Sequence, residues 1–85
     1  MASYSLHLSR SAERELREIP KPDLGRVWRR IRTLEGTPRP PGCMKLAGAE
    51  GYRIRQGDWR VIYQVDDEAG QVSVVKIGHR REIYR

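Results

Sequence analysis

The chain holds one cysteine, Cys43, among its 85 residues. No internal disulfide can form, which fits a reducing cytoplasm. The loop "PPGCMK" offers that thiol no activating base in sequence, so we read it as structurally incidental rather than as a nucleophile. Paired Cys/His spacing for zinc is lacking, as is a glycine-rich phosphate loop. No apolar run approaches the roughly 18 residues that a membrane span needs. The start "MASYSLHLSR" lacks the basic-then-apolar order of a secretory signal. There is no low-complexity stretch either. With 38% hydrophobic and 33% charged residues, the chain has enough aliphatic content to fold. These features predict a single domain over 1–85, with a core that leaves little margin, in the cytoplasm and without a membrane partner.

What the sequence has in excess is positive charge. It carries a net +6, and 14 of its 17 cationic residues are arginine. That balance favours a polyanionic partner, either nucleic acid or an acidic protein. Arginine binds phosphate and carboxylate through a fixed fork and stays protonated, which suits recognition better than solubility alone.

Along the chain, "YSLHLS" (4–9) alternates like a half-buried strand, with His7 on its polar side. Ser9 or Ser11 can cap a helix over 11–19, which "PKP" (20–22) stops. Asp23 is a candidate cap for a second helix over 24–35, with Leu24, Val27, Trp28, Ile31 and Leu34 forming one apolar stripe and Gly36 ending it. The two should form an antiparallel hairpin. Arg26, Arg29, Arg30 and Arg32 fall mostly on the opposite side of helix two, as a solvated face or as a surface for a large polyanion. "GTPRPPG" (36–42) reads as a stiff extended loop. From Tyr52 the period becomes two, and three strands are predicted at 52–56, 59–65 and 71–77, linked by "GD" and "DDEAG". The expected fold is therefore α+β: an N-terminal strand, a helical hairpin and a three-stranded antiparallel sheet, with the helices packed on one face.

In the stretch "YRIRQGDWR" (52–60), a two-residue turn at Gly57-Asp58 sets Gln56 opposite Trp59, Arg55 opposite Arg60, and Arg53 opposite Ile62. Arg53, Arg55 and Arg60 then share one side of the sheet, while Tyr52, Ile54, Trp59, Val61 and Tyr63 share the core side. Like charges opposite each other cost up to about 1 kcal/mol, so an anion site, or thorough screening by water, is implied. If Val65 faces Gln71, then Arg60 faces Lys76 and a fourth cation joins that side. After Gly78, where the backbone can turn sharply, the tail "HRREIYR" can bend over the arginines or remain a solvated basic end.

The order of elements, the "KL" at 45–46, "YRIRQGDWRVIYQVD" and the ending "VVKIGHRREIYR" together resemble the RelE/ParE toxin superfamily, and the hairpin and tail resemble its RelE branch more closely. The resemblance spans Tyr4 to Arg85. It implies the RelE-like fold and the toxin of a type II toxin–antitoxin pair: a ribosome-dependent endoribonuclease that cuts mRNA in the A site of the 70S ribosome. By position, the family's basic sheet residues fall on Arg53, Arg55 and Arg60, its C-terminal arginine on Arg80, and its C-terminal tyrosine on Tyr84. Lys45, Lys76 and Arg81 join Arg53 and Arg55 as expected RNA contacts. Some relatives carry lysine where this chain has Arg53 and Arg55. Since arginine does not accept protons, Tyr84 and His79 are the remaining candidates for proton transfer, with Tyr84 favoured by its position.

The resemblance also implies a cognate antitoxin as partner, with acidic segments that suit a +6 surface, and contact with operator DNA only through that antitoxin. No metal or organic cofactor is needed for this chemistry. The alternatives are a ParE-like inhibitor of DNA gyrase, or an inactive module that only binds RNA or the ribosome.

Overall fold

A computed structural model describes residues 3–83. Its elements are β1 (Ser5–Leu8), α1 (Arg10–Arg17), α2 (Asp23–Arg32) with a short 3-10 turn over Thr33–Glu35, β2 (Met44–Lys45), β3 (Tyr52–Gln56), β4 (Trp59–Asp66), β5 (Gln71–His79) and α3 (Arg80–Ile83). The strands form one five-stranded sheet in the order β1-β5-β4-β3-β2, and its helix-facing side holds the core. β1 runs parallel to β5, and the remaining pairs are antiparallel. The α+β class and the N-terminal strand stand, but that strand joins the sheet in parallel as one edge and an unexpected β2 forms the other, so the sheet is mixed and five-stranded. β2 is two residues long, too short for alternation to reveal it.

Ser9 caps α1, its Oγ accepting the Ala12 N–H at 3.0 Å. Asp23, in contrast, is not a cap. It is the first helical residue, Pro22 holds the cap position with no side-chain bond, and Asp23 Oδ2 instead accepts the indole N–H of Trp59 at 3.1 Å. A proline at that point leaves no polar side chain to close the helix, and the Asp23 carboxylate is drawn to the sheet. The second helix also ends at Arg32 rather than continuing to 35; a tighter turn follows, with Thr33 Oγ1 donating to Arg30 O at 2.6 Å. The stripe Val27, Ile31 and Leu34 is fully buried and packs with Ile19 and Ala12 against Ile54, Val61, Tyr63, Val72, Val74 and Ile77. Tyr63 is completely enclosed, and its hydroxyl donates to Pro38 O at 2.7 Å, so burial pushes its ionisation well above the ordinary phenol range.

The β3–β4 hairpin has the expected register, with Arg55 opposite Arg60 and Arg53 opposite Ile62. Gly57 takes φ +60°, and no other residue type has positive φ among the described residues. A glycine-first turn of this kind matches the strand twist. The β4–β5 register differs from expectation twice. The turn is tighter, because Asp66 pairs with Gln71 and its side chain accepts the Ala69 N–H at 3.0 Å. A bulge then shifts the pairing between Ile62 and Tyr63. The two one-residue shifts add, so Arg60 lies opposite Gly78, and Lys76 lies opposite Ile62. β5 also continues through Gly78 to His79, so the backbone does not turn at the glycine.

Candidate active site on the open face of the sheet

Strand alternation puts Arg53, Arg55 and Arg60 on the face turned away from the helices. Arg60 is the unusual one. It is only 7% exposed, the one charged residue in the buried class among those described. Its Nη1 donates to Gly57 O at 3.0 Å and to Trp59 O at 3.1 Å, so the turn itself holds the guanidinium. Its Nε is buried with no hydrogen-bond partner among the described residues. Burying a donor unpaired costs about 1–3 kcal/mol, and such a group asks for an explanation. The missing side chain at Gly78, directly opposite, leaves Arg60 without a cross-strand neighbour on that side. Arg53 is half-buried, with Nη2 at 2.9 Å from Met44 Sδ on β2, and Arg55 is exposed.

Arg80 reaches the same turn. Its backbone N–H donates to Asp58 O at 2.8 Å, and its Nε lies 3.8 Å from Asp58 Oδ1. Residues 57–59 therefore hold Arg60 through two carbonyls and Arg80 through one carbonyl and a carboxylate. On the helix side, the turn backs onto a cavity of about 210 Å³ lined by residues including Asp23, Arg26, Gln56 and Trp59. Asp23 and Trp59, joined by the 3.1 Å bond, both line that space.

Lys76, opposite Ile62, shares the arginine side of the sheet as expected, but its ammonium is drawn to the edge, and two other expected residues, Lys45 and His79, lie on the opposite side. Lys76 Nζ is 4.0 Å from Glu15 Oε2, while Glu15 Oε1 accepts the Ile77 N–H at 2.9 Å. Glu15 thus covers the edge of β5 beyond the end of β1 and draws Lys76 there. Lys45 pairs with Tyr52, on the side of the sheet opposite the arginines. His79 pairs with Trp59, and the two rings meet edge to face at 5.5 Å and 88°. It therefore does not reach over the arginines, because β5 carries on to residue 79 and alternation turns its ring to the helix side. Arg81 is exposed in the first turn of α3, and Tyr84 lies outside the described residues. What sequence reasoning missed was Asp58. It read as a turn residue, and only the path of the tail makes it a neighbour of Arg80.

A second charge cluster sits at the far end of the sheet. Arg39 grips Asp67 with both Nη atoms, at 2.8 and 3.2 Å, and donates from Nε to the Tyr52 hydroxyl at 3.0 Å. The Tyr4 hydroxyl donates to Asp67 at 2.7 Å. These bonds, Arg39 first, hold Asp67 below the usual carboxylate range, and the bond to Asp67 raises Tyr4. They fasten the proline-rich loop to the sheet, away from the arginine site. The cations of α2 are also separate: Arg26 faces Asp23 at 3.7 Å, and Arg32 pairs with Glu35 at 2.8 Å and lies over the Trp28 ring.

The open face thus supplies fixed positive charge, part of it buried and incompletely paired. Arginine side chains do not relay protons at neutral pH, so this cluster can bind and stabilise an anion and leaves proton transfer to another group.

The α+β fold matches RelE-like toxin structures, and the chain belongs to the RelE/ParE superfamily: residues 6–84 match the family described as the ParE toxin of type II toxin–antitoxin systems, parDE. It is thus a type II toxin–antitoxin toxin of RelE/ParE kind. Among its relatives, toxin RelG of Mycobacterium tuberculosis is 30% identical over 86 residues, covering 96% of this chain and 97% of that protein. The crystal structure of the toxin–antitoxin complex RelBE2 from M. tuberculosis matches with a TM-score of 0.81 and 26% identity, over 92% of this chain and 99% of that one. The intact RelBE toxin–antitoxin complex of E. coli matches with a TM-score of 0.78 and 26% identity, over 89% of this chain and 95% of that one.

Proposed function

We propose that the chain is a ribosome-dependent mRNA endonuclease, acting in the cytoplasm and restrained by a cognate antitoxin. The observation that carries this reading is the buried Arg60 guanidinium, held by two turn carbonyls with its Nε left unpaired among the described residues. A donor held in that way suits a phosphate oxygen. In the proposed reaction the 2′-hydroxyl loses its proton and attacks the adjacent phosphorus in line. The 5′-oxygen leaves and takes up a proton. Arg60 and Arg80 bear on the phosphate, where fixed donors stabilise the charge of the phosphorane. Arg53 and Arg55 hold the backbone on the leaving side, with Arg81 as a further RNA contact. Tyr84 is assigned proton transfer by position alone. The antitoxin is expected to offer an acidic segment to the +6 chain, in keeping with the antitoxin-bound relatives, and operator DNA would be met only through it.

The family description favours a second reading, inhibition of DNA gyrase without RNA cleavage. Primer extension on an mRNA in a translating extract tests the first reading. Cuts within A-site codons that vanish with Arg80→Ala, and that are absent on naked RNA, are expected. An uncut message together with blocked gyrase supercoiling would replace the nuclease by the gyrase inhibitor.

A further inference from the structure

His79 makes contacts that a free acid–base group on the open face would not. Its ring rests edge-on against Trp59 at 5.5 Å, and Trp59 is itself fixed by the 3.1 Å bond from its indole N–H to Asp23 at the start of α2. His79 Nδ1 accepts the backbone N–H of Arg81 at 3.3 Å. The residue therefore stands just before α3 and satisfies one of the amides that the first helical turn leaves open. The Asp58 carbonyl takes the preceding amide, that of Arg80, at 2.8 Å. Between them, His79 and Asp58 close the first turn of α3 from two sides, and Arg80 is the first residue of that turn.

We propose that His79 is a positioning residue: through its cap on α3 and its contact with Trp59, it fixes the direction in which Arg80 leaves the sheet. This rests on the reading of Arg80 as a phosphate-binding residue and deepens it. The chain Asp23–Trp59–His79–Arg81 amide links the start of α2 to the start of α3, so the place of Arg80 is set by the helical layer as well as by the hairpin turn. Asp58 contributes from the other side, as an acceptor for the amide and as a carboxylate within 3.8 Å of the guanidinium. The imidazole role asked of His79 is that of an acceptor, which another acceptor can perform.

Three full-length variants test this: His79→Asn, which keeps a capping oxygen; His79→Phe, which keeps the ring against Trp59 but loses the acceptor; and His79→Ala, which loses both. Amide exchange at Arg81 is measured in the free protein by NMR, and single-turnover cleavage of mRNA on programmed ribosomes is followed across the neutral pH range. In His79→Phe, Arg81 exchange should rise roughly five- to tenfold, the scale of a lost cap. Its cleavage at saturating ribosome should fall about tenfold with the shape of the pH profile unchanged, since about 1 Å of misplacement costs up to a hundredfold. His79→Asn should restore both to within about threefold of wild type, on the same capping argument. If His79→Asn is as inactive as His79→Ala and a limb of the pH profile disappears, His79 transfers protons and the positioning role is wrong. A His79→Phe protein with wild-type exchange and cleavage would equally overturn it. A wild-type chain that cuts no RNA would remove the reading of Arg80, while the exchange rates still decide the cap.

Discussion

Replacing Arg60 by methionine should cut activity steeply without harming the fold. The guanidinium makes two hydrogen bonds to carbonyl oxygens, at 3.0 and 3.1 Å. Bonds from a charged donor contribute about 1.5–3 kcal/mol each, so losing them costs roughly 3–6 kcal/mol. Against that stand three gains. Removing a charge that is 7% exposed recovers a desolvation cost of several kcal/mol. An Nε left unsatisfied among the described residues, worth about 1–3 kcal/mol, disappears. The like-charge pairing with Arg55 is relieved, by up to about 1 kcal/mol. The two sides cancel to within about 2 kcal/mol, and methionine has an unbranched stem able to follow the arginine path. Urea unfolding should therefore give a midpoint close to wild type, or slightly higher, with an unchanged slope. Cleavage should fall by about a hundredfold or more, the scale of losing one fixed donor to a developing oxyanion. A variant destabilised by more than about 3 kcal/mol would refute the reasoning, because Arg60 would then be a strut of the hairpin and not a charge held for a ligand.

Three further outcomes follow from other parts of the molecule. Gly51→Ala should destabilise by about 2 kcal/mol or more, since φ is +120° and a Cβ would sit 2.7 Å from Tyr63 O; Gly57→Ala, at φ +60° with open space around it, should cost only about 1 kcal/mol, and urea midpoints separate the two. Asp67 has its ionisation held down by Arg39 and then Tyr4, so its contribution to stability is present above the ordinary carboxylate range, near about 4, and is lost as pH falls through the lowered value. Thermal melts of Asp67→Asn should accordingly be less stable than wild type at neutral pH and converge with it in acid. Tyr84→Phe should slow single-turnover cleavage by about tenfold or more, whereas unchanged cleavage would take that phenol out of the mechanism.

Much of this molecule was legible because its signals are local. The alternation of "YRIRQ" and "WRVIYQV" around Gly57-Asp58 fixes both the register and the face of three arginines, since a two-residue turn permits no other pairing without moving every side chain to the wrong side. A serine cap at Ser9 or Ser11 follows from their place between an alternating and a helical stretch, and the structure selects Ser9. The errors arose where pairing is set at a distance. In β5, Val72 and Val74 alternate but the next core residue is Ile77, so the period of two breaks at Val75 and Lys76. That break is the trace of the bulge, and strict alternation would have driven Lys76 into the core. Reading it together with the tighter Asp66–Gln71 turn would have put Gly78, not Lys76, opposite Arg60. The pairing of Lys76 with Glu15 could not be read in the same way, because it depends on where β1 ends and exposes the edge of β5.

The placement of charge follows from the same geometry. An arginine can be buried in a small sheet only if its N–H groups find acceptors, and the tight turn beside Arg60 offers two carbonyls, those of Gly57 and Trp59. The turn must then be immobile, although it borders a cavity rather than packed side chains. Trp59 resolves that conflict. It follows the turn directly, binds Asp23 across the cavity wall and supports His79 from the neighbouring strand. Trp59→Phe would keep the aromatic contact but release the link to α2. It should cost about 1.5–3 kcal/mol in stability, the worth of one hydrogen bond to a charged acceptor, and yet lower cleavage more than that loss explains, because Arg60 and Arg80 both hang from residues 57–59. Equal losses in stability and in the activation barrier would instead mean that the turn holds its place without the indole.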